Sequence, residues 1–253
     1  MWHSLLQFVD LTTIILLLSL SAIAFCYAAV GHGGASGYIA IFALFGLLSP
    51  QTKSFVLVMN LIVASITFIH YSRKGYFNIK YFLPFALGAA PMAYFGAKLK
   101  IDAALYHYIL AAFLFFSVSY LLGFFNKFQN LFQTEFKIWK SLMIGAVIGF
   151  FSGIVGVGGG IFLSPVLLIL GWQNLKQTAA LSALFIVVNS ASGLLAIKQF
   201  DSFLQPIFIA EIFTVALFGY LGGKWGVNLE NTDKLKKMLA FVLLIAGIKL
   251  CLT

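Results

Sequence analysis

The sequence is short of charged residues. Only 9% of its 253 residues are charged, whereas a soluble domain averages about 25%. Hydrophobic residues make up 62% of the chain. A soluble fold of this size needs more polar surface than so few charges supply, and lipid removes that need because the outer surface then contacts hydrocarbon. The composition therefore predicts an integral membrane protein.

Acidic residues and cysteines are scarcer still. The chain has 7 Asp and Glu against 16 Lys and Arg, and the basic residues lie in short gaps between apolar runs. This placement is typical of topology signals and lipid-headgroup contacts, and it argues against a nucleic-acid partner. Two isolated cysteines, Cys26 and Cys251, form neither a disulfide framework nor a metal-ligand pattern, and we interpret both as small packing residues. We expect no cofactor and no metal, and no ATP-binding motif is present.

Long hydrophobic runs are abundant. A spanning helix needs about 20 apolar residues. We predict ten helical segments, two of them short: Leu11–Val30, Ala35–Leu48 (short), Ser54–Ile69, Tyr81–Ala97, Ala104–Phe125, Ser141–Val155, Gly160–Leu170 (short), Gln177–Ile197, Gln205–Gly223 and Met238–Leu252. The first segment has no Lys or Arg before it, so it is predicted to be an uncleaved membrane helix and not a signal peptide. The fold class is all-α and polytopic.

The two halves of the chain resemble each other. Val30–Ala35 matches Val155–Gly160, and Tyr94–Lys98 matches Tyr220–Lys224 at nearly the same spacing. The matches predict two membrane repeats, residues 1–125 and 141–253, joined by a linker at 126–140. With five segments each, the second repeat is inverted relative to the first.

The basic residues favour ten crossings. Ten crossings place 11 of the 16 Lys and Arg residues on one side, whereas two re-entrant short segments would divide them evenly. Membrane insertion favours the biased arrangement, with the basic side in the cytoplasm and both termini outside.

Each short segment follows a glycine cluster. The clusters contain four candidate residues each: Gly31, His32, Gly33 and Gly34 in the first, and Gly156, Gly158, Gly159 and Gly160 in the second. Clustered glycines unwind a helix, and unwound backbone in a membrane must be buried in protein or line a wet cavity. We therefore expect free N–H groups and positive helix ends to form an anion site inside the membrane. The alternative is close helix packing; the duplication of the clusters favours a site.

Several polar residues lie at membrane depth. Asn60 and Asn189 occupy equivalent repeat positions, where each amide either donates to an oxyanion or joins two helices. His32 either attracts an anion when protonated or is neutral and bonded to a carbonyl. Ser36 either donates to the same ligand or caps the short helix. Glu211 is the only carboxylate inside a long apolar segment, which makes it a candidate for ion coupling.

The second cluster and its continuation, Gly156-Val157-Gly158-Gly159-Gly160-Ile161-Phe162-Leu163-Ser164-Pro165, resemble the glycine-rich motif of the TauE/SafE (TSUP) family of sulfite and organosulfur-anion transporters. The first cluster resembles its counterpart in repeat one, with His32 replacing an apolar residue. The resemblance extends over nearly the whole chain. It implies a transporter for sulfite or an organosulfonate in the bacterial inner membrane, with a small anion and the lipid bilayer as partners. With two inverted halves, we expect the transporter to work by alternating access.

Two other functions fit some of the same features. A passive anion channel would also use broken helices. An intramembrane serine protease would use Ser36, because Gly34-Ala35-Ser36-Gly37 fits a GxSG pattern, with His70 or His107 as the base. The second glycine cluster has no equivalent serine, so we expect no enzymatic activity. The residues leave open the substrate, direction, coupling ion and oligomeric state, including a homodimer.

Overall fold

The computed structural model describes residues 11–128, 134–197, 206–231 and 233–252. Within these ranges there are ten α-helices, a 3-10 helix at Phe124–Phe128, and no strand. The α-helices are α1 Leu11–Ala29, α2 Ala35–Leu44, α3 Pro50–Arg73, α4 Ile79–Lys98, α5 Ala103–Leu121, α6 Ile138–Val155, α7 Gly160–Ile169, α8 Leu175–Ile197, α9 Pro206–Gly226 and α10 Asp233–Leu252.

Six of these helices are long and apolar enough to cross a membrane, namely α1, α3, α5, α6, α8 and α9. The chain is therefore a multi-pass helical membrane protein. Helices α2 and α7, with 10 residues each, are the short segments that follow the glycine clusters. The fifth helix ends at Leu121, earlier than predicted, because Gly123 adopts a left-handed conformation (φ +80°). Residues 129–133 of the predicted linker lie outside the described residues.

Glycines hold α4 against α6. A Cβ atom at Gly88 would overlap the carbonyl oxygen of Leu142, and one at Gly96 would overlap that of Phe150. From the other helix, a Cβ atom at Gly149 would lie 2.5 Å from the carbonyl oxygen of Ala89. The backbones approach this closely only because side chains are missing at the contact. Paired residue numbers rise together, so α4 and α6 run parallel.

The same kind of contact joins α9 to α1. A Cβ atom at Gly222 would overlap the carbonyl oxygen of Phe25, and one at Gly226 would overlap that of Ala29. These two helices are also parallel. If each helix of the first half is replaced by its counterpart in the second half and the reverse, the pair α4–α6 becomes the pair α9–α1. The two halves therefore contact each other through equivalent helix pairs.

Helices α3 and α8 cross at the centre of the protein. The Asn60 amide Nδ2 donates to the Ser190 hydroxyl over 3.0 Å, and Gly193 faces Leu57. Rising numbers in α3 meet falling numbers in α8, so the third helix of each half is antiparallel to its counterpart.

The chain between α1 and α3 runs back along α3. Four hydrogen bonds join it to α3 from the last turn to the first: Tyr71 to the Ala29 carbonyl (3.3 Å), Thr67 to the His32 carbonyl (3.4 Å), the Ala35 N–H to Asn60 (3.1 Å), and Thr52 to the Leu47 carbonyl (2.8 Å). The glycine cluster therefore descends from the end of α3 to about its middle. Helix α2 then covers the remaining half.

The two cysteines differ from the prediction in one respect. Cys26 is buried within α1, as expected of a packing residue, but Cys251 is exposed in the last turn of α10. The interpretation of Cys251 as a packing residue was wrong, because Cys251 lies on the outer face of α10, whereas its neighbour Leu250 is buried.

Candidate functional site

The two glycine clusters end in the same kind of helix start. Gly34 precedes α2 and Gly159 precedes α7, and both have left-handed backbone (φ +109° and +76°). Glycine has no side chain, so neither N-cap residue caps its own helix. Left-handed backbone at these two positions favours glycine, because a side chain there would be strained. We call residues 31–34 loop 1 and residues 156–159 loop 2.

Asn60 lies between the two loops. Its Oδ1 accepts a hydrogen bond from the Ala35 N–H at the start of α2 (3.1 Å). A Cβ atom at Gly33 in loop 1 would overlap Oδ1, and one at Gly158 in loop 2 would overlap Nδ2. The side chain is fully buried. The predicted site residues Gly33, Gly158 and Asn60 are therefore in direct contact.

Asn189 holds the second loop in a similar way. Its Nδ2 donates to the Gly158 carbonyl over 3.2 Å. Its Oδ1 is buried and has no hydrogen-bond partner among the described residues. Each asparagine thus bonds to the glycine-rich backbone of its own half, which agrees with their equivalence in sequence.

Several backbone N–H groups at the two helix starts have no acceptor among the described residues. Gly33, Gly34, Gly159 and Gly160 are buried, and the hydrogen bonds of the described residues give their N–H groups no acceptor. Buried N–H groups are almost always paired, so four such groups at two helix N-termini are unused donors that a ligand could satisfy. Helix N-termini also carry partial positive charge. An anion is the ligand that this arrangement binds best.

His32 connects loop 1 to the other half. Its Nδ1 lies 3.2 Å from the Val30 carbonyl and its Nε2 lies 3.0 Å from the Ser164 hydroxyl. Because a carbonyl only accepts, Nδ1 carries a proton that it donates to Val30. The Ser164 hydroxyl also lies 3.0 Å from the Gly160 carbonyl, so its single proton is shared between that carbonyl and Nε2. Ser164 in turn contacts the Ser182 hydroxyl at 2.9 Å. This network extends from loop 1 through α7 to α8.

Other predicted residues lie further from the contact between the loops. The Ser36 hydroxyl is 2.8 Å from the Tyr27 hydroxyl, so it faces α1. Gly31 packs on Ala179, and Gly156 packs on the Lys53 side chain. Left-handed backbone (φ +89° at Gly31 and +83° at Gly156) and close packing both explain why these two residues have no side chain.

The histidines considered as protease bases are not at Ser36. His70 contacts the Tyr220 ring (5.0 Å between centroids) near the end of α3, about 15 Å along the helix from Asn60 at 1.5 Å per residue. His107 is on α5, beside the Tyr106 ring.

A large cavity opens at the end of the protein where α8 and α10 begin. Its volume is about 610 Å³, and its lining includes Asn174, Lys236 and Lys237. A narrower cavity of about 20 Å³ shares Tyr120 and Lys236 with it and reaches His32. The charged groups in the lining of the larger cavity are Lys236, Lys237 and Asp233, so the lining has an excess of positive charge. We call this cavity, which leads towards loop 1, the basic vestibule.

A third cavity, of about 380 Å³, lies at the opposite end of the protein. It is lined by the first turns of α1, α3 and α9 and by the end of α2, and Glu211 contributes the carboxylate. Glu211 is buried, with 5% of its surface exposed. This carboxylate is thus separate from the contact between the loops.

Sequence reasoning missed several polar partners. Ser164, Ser182 and Ser190 are fully buried hydroxyls bonded to His32 or Asn60 or to each other, and the Tyr38 hydroxyl donates to the Gly33 carbonyl (3.0 Å). A usable signal was present, since Ser164 lies one helical turn after Gly160 and Ser190 follows Asn189. Within the described residues, His, Cys, Asp and Glu form no group of three that could hold a metal.

Comparisons with known proteins agree with this architecture. The profile of the family described as "Sulfite exporter TauE/SafE" matches residues 15–250. A probable membrane transporter protein of Sinorhizobium fredii is 32% identical over 244 residues, which cover 95% of this chain and 99% of that protein. A probable membrane transporter protein of Methanocaldococcus jannaschii is 27% identical over 164 residues, 62% of this chain and 60% of that protein. No solved structure matches. With the family profile covering nearly all of the chain, this protein belongs to the sulfite exporter TauE/SafE family of membrane transporters.

Proposed function

We propose that this protein is a secondary transporter that moves a small anion across the inner membrane by alternating access between two inverted halves of five segments. The observation that carries the proposal is the pair of glycine loops beside Asn60, which hold buried N–H groups with no acceptor in the described part of the chain. Sulfite or an organosulfonate is the proposed substrate, which rests on the family description.

The helix directions support ten crossings and an inverted repeat. Helices α3 and α8 are antiparallel, and the parallel pairs α4–α6 and α9–α1 exchange between the halves. Each loop with its short helix returns across the protein from the end of one long helix to the start of the next. Inverted halves with broken helices that meet near mid-depth are typical of secondary transporters.

The cavities support alternating access over a passive channel. The basic vestibule and its narrow extension share no lining residue with the cavity at Glu211. Between them lie the buried loops. The cavities on the two sides of the loops are therefore separate, and the lysines of the vestibule attract anions on the side that is proposed to be cytoplasmic.

The experiment compares Asn60→Asp with Asn228→Asp in purified protein. Both substitutions replace an amide by a carboxylate of the same shape. Asn60 contacts both loops, whereas Asn228 is exposed and bonded to the Lys224 carbonyl (3.0 Å). A ligand of the folded state raises its melting temperature by mass action. We expect sulfite or a sulfonate to raise that temperature in wild type and Asn228→Asp, and not in Asn60→Asp.

Exchange of radiolabelled anion in proteoliposomes completes the test. Saturable exchange in wild type supports a transporter, and a flux that rises linearly with anion concentration supports a channel. Undiminished exchange in Asn60→Asp would remove the anion site from the loops. If sulfur oxyanions and sulfonates all fail to bind or exchange, the proposed substrate is wrong.

A further inference from the structure

We infer that Glu211 is a proton-binding site, reached from the cavity opposite the basic vestibule, and that its protonation is coupled to anion transport. The inference rests on the proposed function. It concerns a part of the protein that the anion site does not include.

The surroundings of Glu211 are unusual for a carboxylate. It is buried, and among the described residues it has no hydrogen bond and no ion pair. The other described acids are all exposed: Asp102, Glu135, Glu230 and Asp233. A buried carboxylate without a partner is costly when charged, so it takes up a proton or a cation.

The cavity gives this carboxylate a path to one side. Its volume, about 380 Å³, has room for several water molecules. The lining combines apolar walls such as Phe42 and Phe208 with the hydroxyls of Thr12, Thr13, Ser49 and Thr52. The Ser49 and Thr52 hydroxyls already bond to each other (2.9 Å), and Thr52 also donates to the Leu47 carbonyl. Glu211 is the one carboxylate among the described lining residues, so a metal ion would find a single charged ligand there, and a proton carried by water fits the site better.

The charged groups around the cavity are bonded elsewhere. Lys53, next to Thr52 on α3, donates to the Ile154 carbonyl on α6 (2.8 Å). Lys249 on α10 donates to the carbonyls of Ala43 and Leu44 at the end of α2 (2.8 and 2.9 Å). From α1, α2, α3 and α9, the described lining residues include no titratable group except Glu211. In this proposal, a bound proton therefore neutralises the Glu211 carboxylate.

Helix α2 connects the two sites. Its N-terminus lies at the contact between the loops, and its Phe42 lines the Glu211 cavity. The helix has 10 residues, about 15 Å at 1.5 Å per residue. An anion bound at one end and a proton at the other both act on the position of this short helix, which gives the coupling a physical link.

Labelling with a carbodiimide tests whether the Glu211 carboxyl group is protonated, and it requires no transport measurement. The O–H of a carboxylic acid adds across one C=N bond of dicyclohexylcarbodiimide, the proton goes to nitrogen, and the ester rearranges to a stable N-acylurea. We expect mass spectrometry to find this adduct at Glu211 in the intact protein, with less of it as the pH rises. Glu135→Gln is the control and should leave the adduct unchanged. Absence of the adduct at Glu211, or its suppression by sodium chloride and not by potassium chloride at constant pH, would overturn the proton assignment.

Transport in proteoliposomes tests the coupling. In wild type we expect a pH gradient to drive anion accumulation, and in Glu211→Gln we expect loss of that accumulation with anion exchange retained. Glu211→Asp, which keeps the carboxyl group, should restore part of it and serves if the glutamine variant does not fold. Accumulation that persists in Glu211→Gln, or wild-type exchange that no pH gradient drives, would refute the coupling while leaving the proposed function intact. Absence of all anion transport in wild type would instead count against the proposed function.

Discussion

Replacing Gly158 by alanine tests whether Asn60 really joins the two loops. The added methyl group would overlap the Asn60 amide nitrogen and lie 3.1 Å from the Ser190 hydroxyl. Asn60 must then move away from Ser190 and from the Ala35 N–H, to which it is now bonded. The matched control is Gly46→Ala, because Gly46 has nearly the same left-handed backbone (φ +71° against +73°) but no atom within 4 Å of the added methyl group.

The expected loss has two parts. Left-handed backbone costs an alanine about 1–2 kcal/mol, and both variants carry this cost. Gly158→Ala also breaks two hydrogen bonds of Asn60, at about 0.5–1.5 kcal/mol each. We therefore expect Gly158→Ala to lose about 1–3 kcal/mol more of the unfolding free energy than Gly46→Ala.

Unfolding by dodecyl sulfate in mixed micelles measures this difference, and anion exchange in proteoliposomes measures the consequence. Gly46→Ala should exchange anion like wild type, whereas Gly158→Ala should lose exchange even at temperatures where it is folded. Equal stability of the two variants, together with normal exchange in Gly158→Ala, would refute the description of Asn60 as the residue that bridges the loops.

Three further predictions concern packing and chemistry elsewhere. Gly149→Ala should lower the free energy of unfolding by about 1–3 kcal/mol, because its methyl group would meet the backbone of α4. The control Gly193→Ala would meet only the Leu57 side chain and should be neutral or stabilising. Unfolding in dodecyl sulfate compares the two variants, and equal effects would contradict the close contact between α4 and α6. Ser36→Ala should retain anion exchange, and a fluorophosphonate probe should not label Ser36 in wild type; a serine-dependent adduct would revive the protease hypothesis. Lys249→Met should lower the free energy of unfolding by about 1–3 kcal/mol, because the ammonium group donates to two carbonyls at the end of α2. An unchanged midpoint of unfolding would show that these hydrogen bonds do not contribute to stability.

The helical membrane class and the two short helices could be predicted from the sequence. Both depend on local properties, namely the length of apolar runs and the unwinding effect of clustered glycines. Helices α2 and α7 begin at Ala35 and Gly160, the residues at which the predicted short segments begin. The TauE/SafE resemblance, which rested on the two glycine clusters and the order of the segments, was confirmed by the family profile over residues 15–250.

The candidate site was only partly accessible from the sequence. Asn60 could be chosen because a polar residue inside an apolar segment is conspicuous, and Asn189 because it repeats that position. The inverted repeat and the anion site stay predictions, which the reciprocal helix pairs and the unpaired N–H groups support. Ser36 looked equally suitable, but which face of α2 it occupies depends on packing against Tyr27.

Composition alone determined that this chain crosses the membrane as helices, because a helix forms its backbone hydrogen bonds within its own segment. The placement of the glycines alone determined that two of the helical segments are interrupted. Tertiary structure alone decided which distant residues meet. His32 reaches Ser164, Asn60 contacts both loops, and Glu211 is left without a partner among the described residues. These contacts join residues more than a hundred positions apart or depend on how whole helices pack, and local sequence carries no record of that geometry.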